Sequence, residues 1–371
     1  MQWSGSSAEL YRLDRQAESR DIALLGALCL FLSALDHVIP KPLPFMRLGL
    51  ANLPLLIALD IFTAKHFFLL ALIKVFGQSL ITGTLFSYIL LFSLVGTGLS
   101  AVCMFILRRI TYKGKCIFSL AGIGIIGAFA SNSAQLLLAR YLVFGYGISF
   151  LAPPFLAAGI VSGAVLGFFA EAFSRQSQWL RLQREKAVSS RVLARQHEPT
   201  AALDSSRTFV FSIHSIFLLC LAAFFLLVPY LPVRAALCLL FFILAYAMGK
   251  KPRPVLMLIS IIMISLCNLY PPFGKILFTG GPRIIAEGSL IRGLQRAVTM
   301  AGLIMFSKIA LSAAPPFPGK IGLLLQESFA ILEQLNREFS IEKSKRENIK
   351  TEKLMEKIDK TLCRISGFNY S

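Results

Sequence analysis

Acidic side chains are scarce in this sequence, and the few present stand apart. Against 38 Lys and Arg there are 19 Asp and Glu in 371 residues. The six aspartates, at positions 14, 21, 36, 60, 204 and 359, never pair. No DDxxD-type cluster is therefore available to hold magnesium and a diphosphate. No GxxxxGK[ST] run occurs, so nucleotide hydrolysis through a phosphate loop is not expected, and no GxSxG elbow is present. The four histidines, at 37, 66, 197 and 214, are dispersed. The seven cysteines, at 29, 103, 116, 220, 238, 267 and 363, stand singly, mostly inside apolar runs. Without CxxC spacing or a Cys/His cluster they indicate neither a zinc site nor a disulfide framework, and they read as small apolar packers. These absences lead us to expect no enzyme, no metal and no cofactor.

What the chain has in abundance is apolar length. Hydrophobic residues make up 56% of it, gathered into two unequal blocks, Asp21–Phe173 and Thr208–Ser312. A hydrocarbon core about 30 Å thick takes ~20 mostly apolar residues per helical crossing. The sequence supplies ten such runs, near 21–39, 48–62, 66–84, 86–107, 116–139, 149–172, 208–230, 233–248, 254–270 and 297–313. The expected fold is an all-α polytopic membrane protein, six helices followed by four. Residues 1–20 form a polar N-terminal segment without a cleavable signal pattern, 174–207 a basic linker, and 314–371 a tail. Lys and Arg crowd the segments on the side of the N-terminus, with Arg12, Arg15, Arg20, Arg108, Arg109, Lys113 and Lys115 among them. This bias places both termini in the cytoplasm, with the protein in the inner membrane. The net charge of +19 then orients the chain and meets anionic lipid headgroups, and no nucleic-acid partner is expected.

Polar residues at membrane depth are costly and so become functional candidates. Lys74 lies near the middle of the third run, where it serves either as a ligand group or in a buried ion pair, for example with Asp60. Asn132 and Gln135 sit almost one turn apart in the fifth run, so their amides share a face; the competing role is interhelical hydrogen bonding. The proline-rich loop His37–Asn52 cannot be regular helix. It is flanked by Asp36, His37 and Arg47, which read as interfacial residues. Asn52 with Pro54 opens a run too short to span comfortably, the kind of interrupted segment that lines transporter sites. After Pro315, Pro316 and Pro318, an apolar stripe through Ile321, Leu324, Leu325, Phe329, Ile331, Leu332 and Leu335 suits a helix lying on a membrane or partner. The last thirty or so residues mix Lys and Glu and read as a solvated charged helix.

Three stretches carry a family resemblance: Met46-Arg47-Leu48-Gly49-Leu50-Ala51-Asn52, then Leu72-Ile73-Lys74-Val75-Phe76-Gly77, then Gly127-Ala128-Phe129-Ala130-Ser131-Asn132-Ser133-Ala134-Gln135-Leu136. In this order they resemble the signature stretches of the Gx transporter family, often labelled heptaprenyl diphosphate synthase component I. The block's hydropathy is similar to that of the six-helix substrate-binding (S) subunits of energy-coupling factor (ECF) transporters. Ser131 stands where the family often has His. Ala23 and Ala27 form an AxxxA pair like the one by which such S subunits meet their membrane partner, small residues four apart allowing close helix approach. The second block resembles the transmembrane (T) subunit of the same transporters. The stretches carrying this are Leu277-Phe278-Thr279-Gly280-Gly281-Pro282 and Glu287-Gly288-Ser289-Leu290-Ile291-Arg292-Gly293-Leu294, with Pro315-Pro316 leading into the amphipathic helix. That family's Ala-Arg-Gly coupling motifs have no counterpart after Leu335, and no further membrane helix follows.

The resemblances imply a fused S-plus-T membrane component of an ECF-like importer. Its pocket would take a small polar or anionic solute, such as a vitamin or cofactor precursor, on Arg47, Asn52, Lys74, Asn132 and Gln135. Leu325, Phe329 and Leu332 would meet a separate ATP-binding cassette ATPase. The alternative is a non-catalytic membrane subunit in polyprenyl or quinone synthesis, or in a flavin-linked electron-transfer assembly.

Overall fold

The computed structural model describes residues 4–38, 49–112, 118–185, 221–249, 254–280, 283–312, 319–343 and 351–366. The expected positions Arg47, Lys113 and Lys115, most of the proline loop and most of the linker lie outside the described residues.

The first block is a helical bundle. Helix α1 (Ser4–Val38) is one continuous element that runs through the polar N-terminal segment into the first apolar run. A short 3-10 turn (Leu50–Asn52) leads into α2 (Leu53–Ala58), only six residues long and wholly buried. Three longer helices follow: α3 (Ala64–Thr82), α4 (Tyr88–Tyr112) and α5 (Leu120–Ala139). The helical ladder loosens at Arg140–Phe144, a π turn, and tightens at Gly145–Gly147 before α6 (Ile148–Gln176) begins. That break turns the chain back, and α5 and α6 pack antiparallel at backbone contact. A Cβ on Gly163 would stand 2.7 Å from the Gly124 carbonyl oxygen, and one on Gly167 would stand 2.5 Å from Ala121 Cα. Only glycine permits this approach, which sets the shape of the space between α4, α5 and α6.

Residues 178–185 form a short helix (α7). After it come residues 221–227 (α8), α9 (Leu231–Ala247), α10 (Pro254–Asn268) and α11 (Glu287–Ser312). A two-stranded antiparallel hairpin, β1 (Ile276–Gly280) and β2 (Arg283–Ala286), precedes α11. The sequence pattern marked this stretch only as a turn; strands form on either side of it. Helix α11 also starts ten residues before the expected run at 297–313, because Arg292 and Arg296 disguise its first turns as loop.

Among the described residues four stretches are long and apolar enough to cross a membrane: Ala64–Thr82, Tyr88–Thr111, Leu120–Gln176 (which holds both α5 and α6) and Glu287–Leu311. Leu231–Ala247 and Pro254–Asn268 are shorter apolar helices. The chain is an all-α polytopic membrane protein. Among the described residues its two blocks share an apolar cluster in which Phe92, Leu136, Val143 and Phe144 meet Ile264, Ala297 and Met300, and Phe86 of the first block packs on Phe306 of the second. A polar joint backs it up. Asn268 donates to the Val143 carbonyl at 2.8 Å, and Arg296 donates to the Asn268 amide oxygen at 2.7 Å.

The tail returns to the first block. Helix α12 (Gly319–Lys343) lays its apolar stripe on α1 and α3, where Leu324 and Leu325 join Ile22 and Ile73, and Ser328 faces Gly26. The final helix, α13 (Thr351–Ser366), corrects the reading of the last thirty residues as solvated: Leu362 and Cys363 are fully buried. Asp359 accepts from the Ser177 hydroxyl at 2.5 Å and from the backbone N–H groups of Gln178 (2.8 Å) and Trp179 (3.1 Å). A carboxylate thus satisfies the orphan donors at the N-terminus of α7, where the helix dipole favours it. The Trp179 indole donates to the Ser366 hydroxyl at 2.8 Å, and Arg20 of α1 donates to the Ile365 carbonyl at 2.8 Å. Sparse apolar residues at helical spacing, Ile358, Leu362 and Ile365, were the signal for this docking; high charge density concealed it.

Candidate functional site

Lys74 projects from the middle of α3 with 5% exposure. Its ammonium donates to the Asn52 side-chain oxygen, and to the Thr97 hydroxyl of α4 at 3.4 Å. Asn52 closes the 3-10 turn, with its backbone N–H on the Gly49 carbonyl at 2.7 Å, so the broken segment around Pro54 delivers an amide to Lys74. The suggested pairing of Lys74 with Asp60 is not what forms. Asp60 lies in the turn after α2 and binds Arg108 at 2.5 Å and Arg184 at 2.6 Å. This ties the ends of α4 and α7 together.

Four of the expected binding residues, Asn52, Lys74, Asn132 and Gln135, border one cavity of about 50 Å³ lined by the first block. A water needs about 10–15 Å³ on the same measure, so the space suits a small solute. The fifth, Arg47, lies outside the described residues. Each amide arrives over a glycine. A Cβ on Gly159 would meet the Asn132 amide nitrogen at 2.1 Å, and one on Gly96 would meet that of Gln135 at 2.5 Å. Asn132 donates to the Phe155 carbonyl of α6 at 3.0 Å, and Gln135 to the Ser131 hydroxyl at 3.2 Å. Asn132 therefore bridges two helices and also lines the cavity.

Several cavity residues went unrecognised in the sequence. Asp36, read as interfacial, is 2% exposed and faces the same space, as do Gln78, Ser93, Thr97 and Ser100. A signal existed. Gln78 follows Lys74 by four residues, and Ser93, Thr97 and Ser100 recur at helical spacing in an otherwise apolar run. Single serines in membrane helices are common enough that this stripe went unread.

Ala23 and Ala27 are fully buried in the core around α1. Leu325 and Leu332 are buried and Phe329 is half-buried, and all three belong to the clusters that α12 forms with the first block. These side chains are spent inside the chain, so they do not form an open surface for a second protein. Among the described residues no three His, Cys, Asp or Glu side chains gather into a group fit for a metal ion.

Residues 25–173 match the family model described as heptaprenyl diphosphate synthase component I, which covers the first block nearly end to end. Residues 211–313 match a model described as a domain of unknown function (DUF8519). No curated protein and no solved structure matches the chain.

Proposed function

We propose that this chain, whose first block is of the heptaprenyl diphosphate synthase component I family, is the solute-capturing membrane component of an ECF-like importer, and that it is not itself an enzyme. The observation that carries this reading is the polar cavity at Lys74. An ammonium held by Asn52 and Thr97 inside an apolar bundle is expensive to maintain, and the residues around it converge on a space that a small solute fits. The contact between α12 and α1 also favours it. The resemblance implies that an S-like first helix meets the T-like half, and here the helix following that half lies on α1 with Gly26 against Ser328. A fusion keeps the two halves at high effective concentration. The outer parts of the cytoplasmic tail would then face a separate ATPase.

The family description favours a second reading: a non-catalytic membrane subunit that works beside another synthase component in polyprenyl synthesis. Purification of the tagged protein from its native membranes in mild detergent, with partners identified by mass spectrometry, separates the two. Stoichiometric recovery of an ATP-binding cassette ATPase is the expected outcome. Recovery of a prenyl synthase in its place overturns the importer.

A further inference from the structure

The hairpin before α11 presents an apolar run that the rest of the chain leaves uncovered. Phe273, Ile276, Leu277 and Phe278 are each more than half exposed. Ile276, Leu277 and Phe278 are consecutive in β1, so that stretch has no polar side to turn toward water. A two-stranded hairpin is marginal in water at best, and exposed apolar area of this kind marks an interaction surface. Ile262 and Leu266 of α10, exposed in the same way, lead along the chain up to Tyr270.

The hairpin's depth in the membrane follows from the helices on either side. Helix α10 has 15 residues, about 22 Å of rise against a hydrocarbon core about 30 Å thick. A helix this short does not carry the chain clear of the bilayer, so the Tyr270–Phe278 stretch lies at its boundary. Two hydrogen bonds hold it there. The Phe273 N–H donates to the Ser289 hydroxyl at 2.7 Å, and the Glu287 N–H donates to the Lys275 carbonyl at 2.8 Å. They tie the hairpin to the first turn of α11, which is long and apolar enough to span. The sheet has two strands only, so each strand keeps one edge of unpaired backbone groups. Hydrocarbon does not tolerate such edges, whereas the headgroup region does.

Aromatic and basic side chains surround the hairpin, as they do at membrane–water interfaces. Phe150 of α6 meets Tyr270 edge to face, with ring centroids 6.3 Å apart. The Arg292 guanidinium lies 4.8 Å from the centre of the Phe273 ring, and that of Arg140 lies 4.8 Å from the centre of the Tyr146 ring. Both arginines are exposed, and so is Lys275; Glu287 is the exposed acid beside them among the described residues. A guanidinium laid on a ring keeps its N–H edge free for phosphate oxygens.

We infer that the hairpin is an interfacial membrane anchor that binds anionic phospholipid. The Ile276–Phe278 run lies among the upper acyl chains, and Arg140 and Arg292 take headgroup phosphates beside it. This holds whatever solute the cavity carries.

The test uses the full-length protein in nanodiscs of phosphatidylcholine mixed with phosphatidylglycerol. Phe278→Trp, and separately Leu277→Trp, adds an indole whose emission is read as the difference from the unsubstituted protein; two positions keep the readout if one variant fails to fold. The added indole is expected to be quenched by lipids brominated near the top of the acyl chain and protected from aqueous iodide. Native mass spectrometry from the same nanodiscs should show phosphatidylglycerol retained over phosphatidylcholine. The double variant Arg140→Gln with Arg292→Gln should cut that preference at least about fivefold, the worth of one basic side chain at an anionic surface. Iodide quenching as complete as that of free tryptophan places the hairpin in water and overturns the inference. An indole shielded from both iodide and lipid bromine means that a second copy or another protein covers the hairpin, which overturns it equally. Equal retention of the two lipids, or a preference unchanged in the double variant, also overturns it.

Discussion

The two membrane blocks bury similar kinds of polar side chain and use them differently. In the second block, Arg234 donates to the Thr299 hydroxyl at 2.8 Å and to the carbonyls of Leu226 and Val228. Asn268 and Arg296 are spent on the joint between the blocks. Their bonds go to backbone or to one another and hold helices together. In the first block, Lys74, Gln135 and the serines of α4 border a space, and two of those serines, Ser93 and Ser100, find no partner among the described residues. An intramembrane polar residue is therefore informative through where its remaining hydrogen-bonding capacity points. Both blocks leave buried polar atoms without a partner among the described residues, but Ser93 and Ser100 border the cavity, whereas Arg234 and Ser265 do not.

Substitutions that separate stability from binding would break or sharpen that contrast. The largest effect on folding is expected from Arg234→Met, which removes the donor to the Leu226 and Val228 carbonyls and to the Thr299 hydroxyl. A loss of roughly 3 kcal/mol, the scale of a charge-assisted bond, should appear as a lower melting temperature with ligand affinity unchanged. Lys74→Met should do the reverse. Losing one charge-assisted contact to ligand weakens binding by about 100-fold, while melting in the absence of ligand moves little. If Lys74→Met collapses the fold instead, Lys74 belongs with Arg234 and the contrast fails.

A smaller, local effect is expected at the tail. Burial pushes the Cys363 thiol up to about 11, with the Asp359 carboxylate adding to the rise. Against the ordinary value of 9.0, its thiolate fraction near pH 8 is lower by roughly two powers of ten, since the thiolate is the reactive form. Alkylation of Cys363 at pH 8 should accordingly be about 100-fold slower than that of an exposed cysteine, and Asp359→Ala, which uncaps α7 and loosens α13, should accelerate it. The sign for stability follows. A thiol whose folded value is raised favours folding below about pH 9, and that contribution is lost as pH rises toward about 11. The gentlest perturbation is a pair of cysteines, Gly26→Cys with Ser328→Cys, in a background free of native cysteines. A Cβ on Gly26 lies 3.5 Å from Ser328 Cβ, at the short end of disulfide geometry. Spontaneous crosslinking with normal melting is expected, whereas free thiols would deny the contact of α12 with α1.

Apolar length made the helices of the first block legible. The run expected at 66–84 is α3 at 64–82, and that at 149–172 is α6 at 148–176. Pro54 likewise gave away the short α2. Charge hid the rest: Arg12, Arg15 and Arg20 masked the first half of α1, Arg292 and Arg296 masked the start of α11, and the Lys and Glu of α13 masked its docking. At the site, Lys74 and the two amides stood out because they are rare at membrane depth. Asp36 did not, since a carboxylate beside a proline loop reads equally well as a surface residue; burial became visible only once α1 was packed. Asp60 shows the converse, an acid near Lys74 in sequence whose partners are two arginines from distant helices.

The central claim is that Lys74 lines a cavity built to hold a small polar solute. Native mass spectrometry of wild-type and Lys74→Met protein, extracted side by side from native membranes, tests it most directly. The account predicts a small polar molecule released from the wild type and missing from an equally folded variant. Identical spectra, or a polyprenyl lipid retained by both, would contradict it.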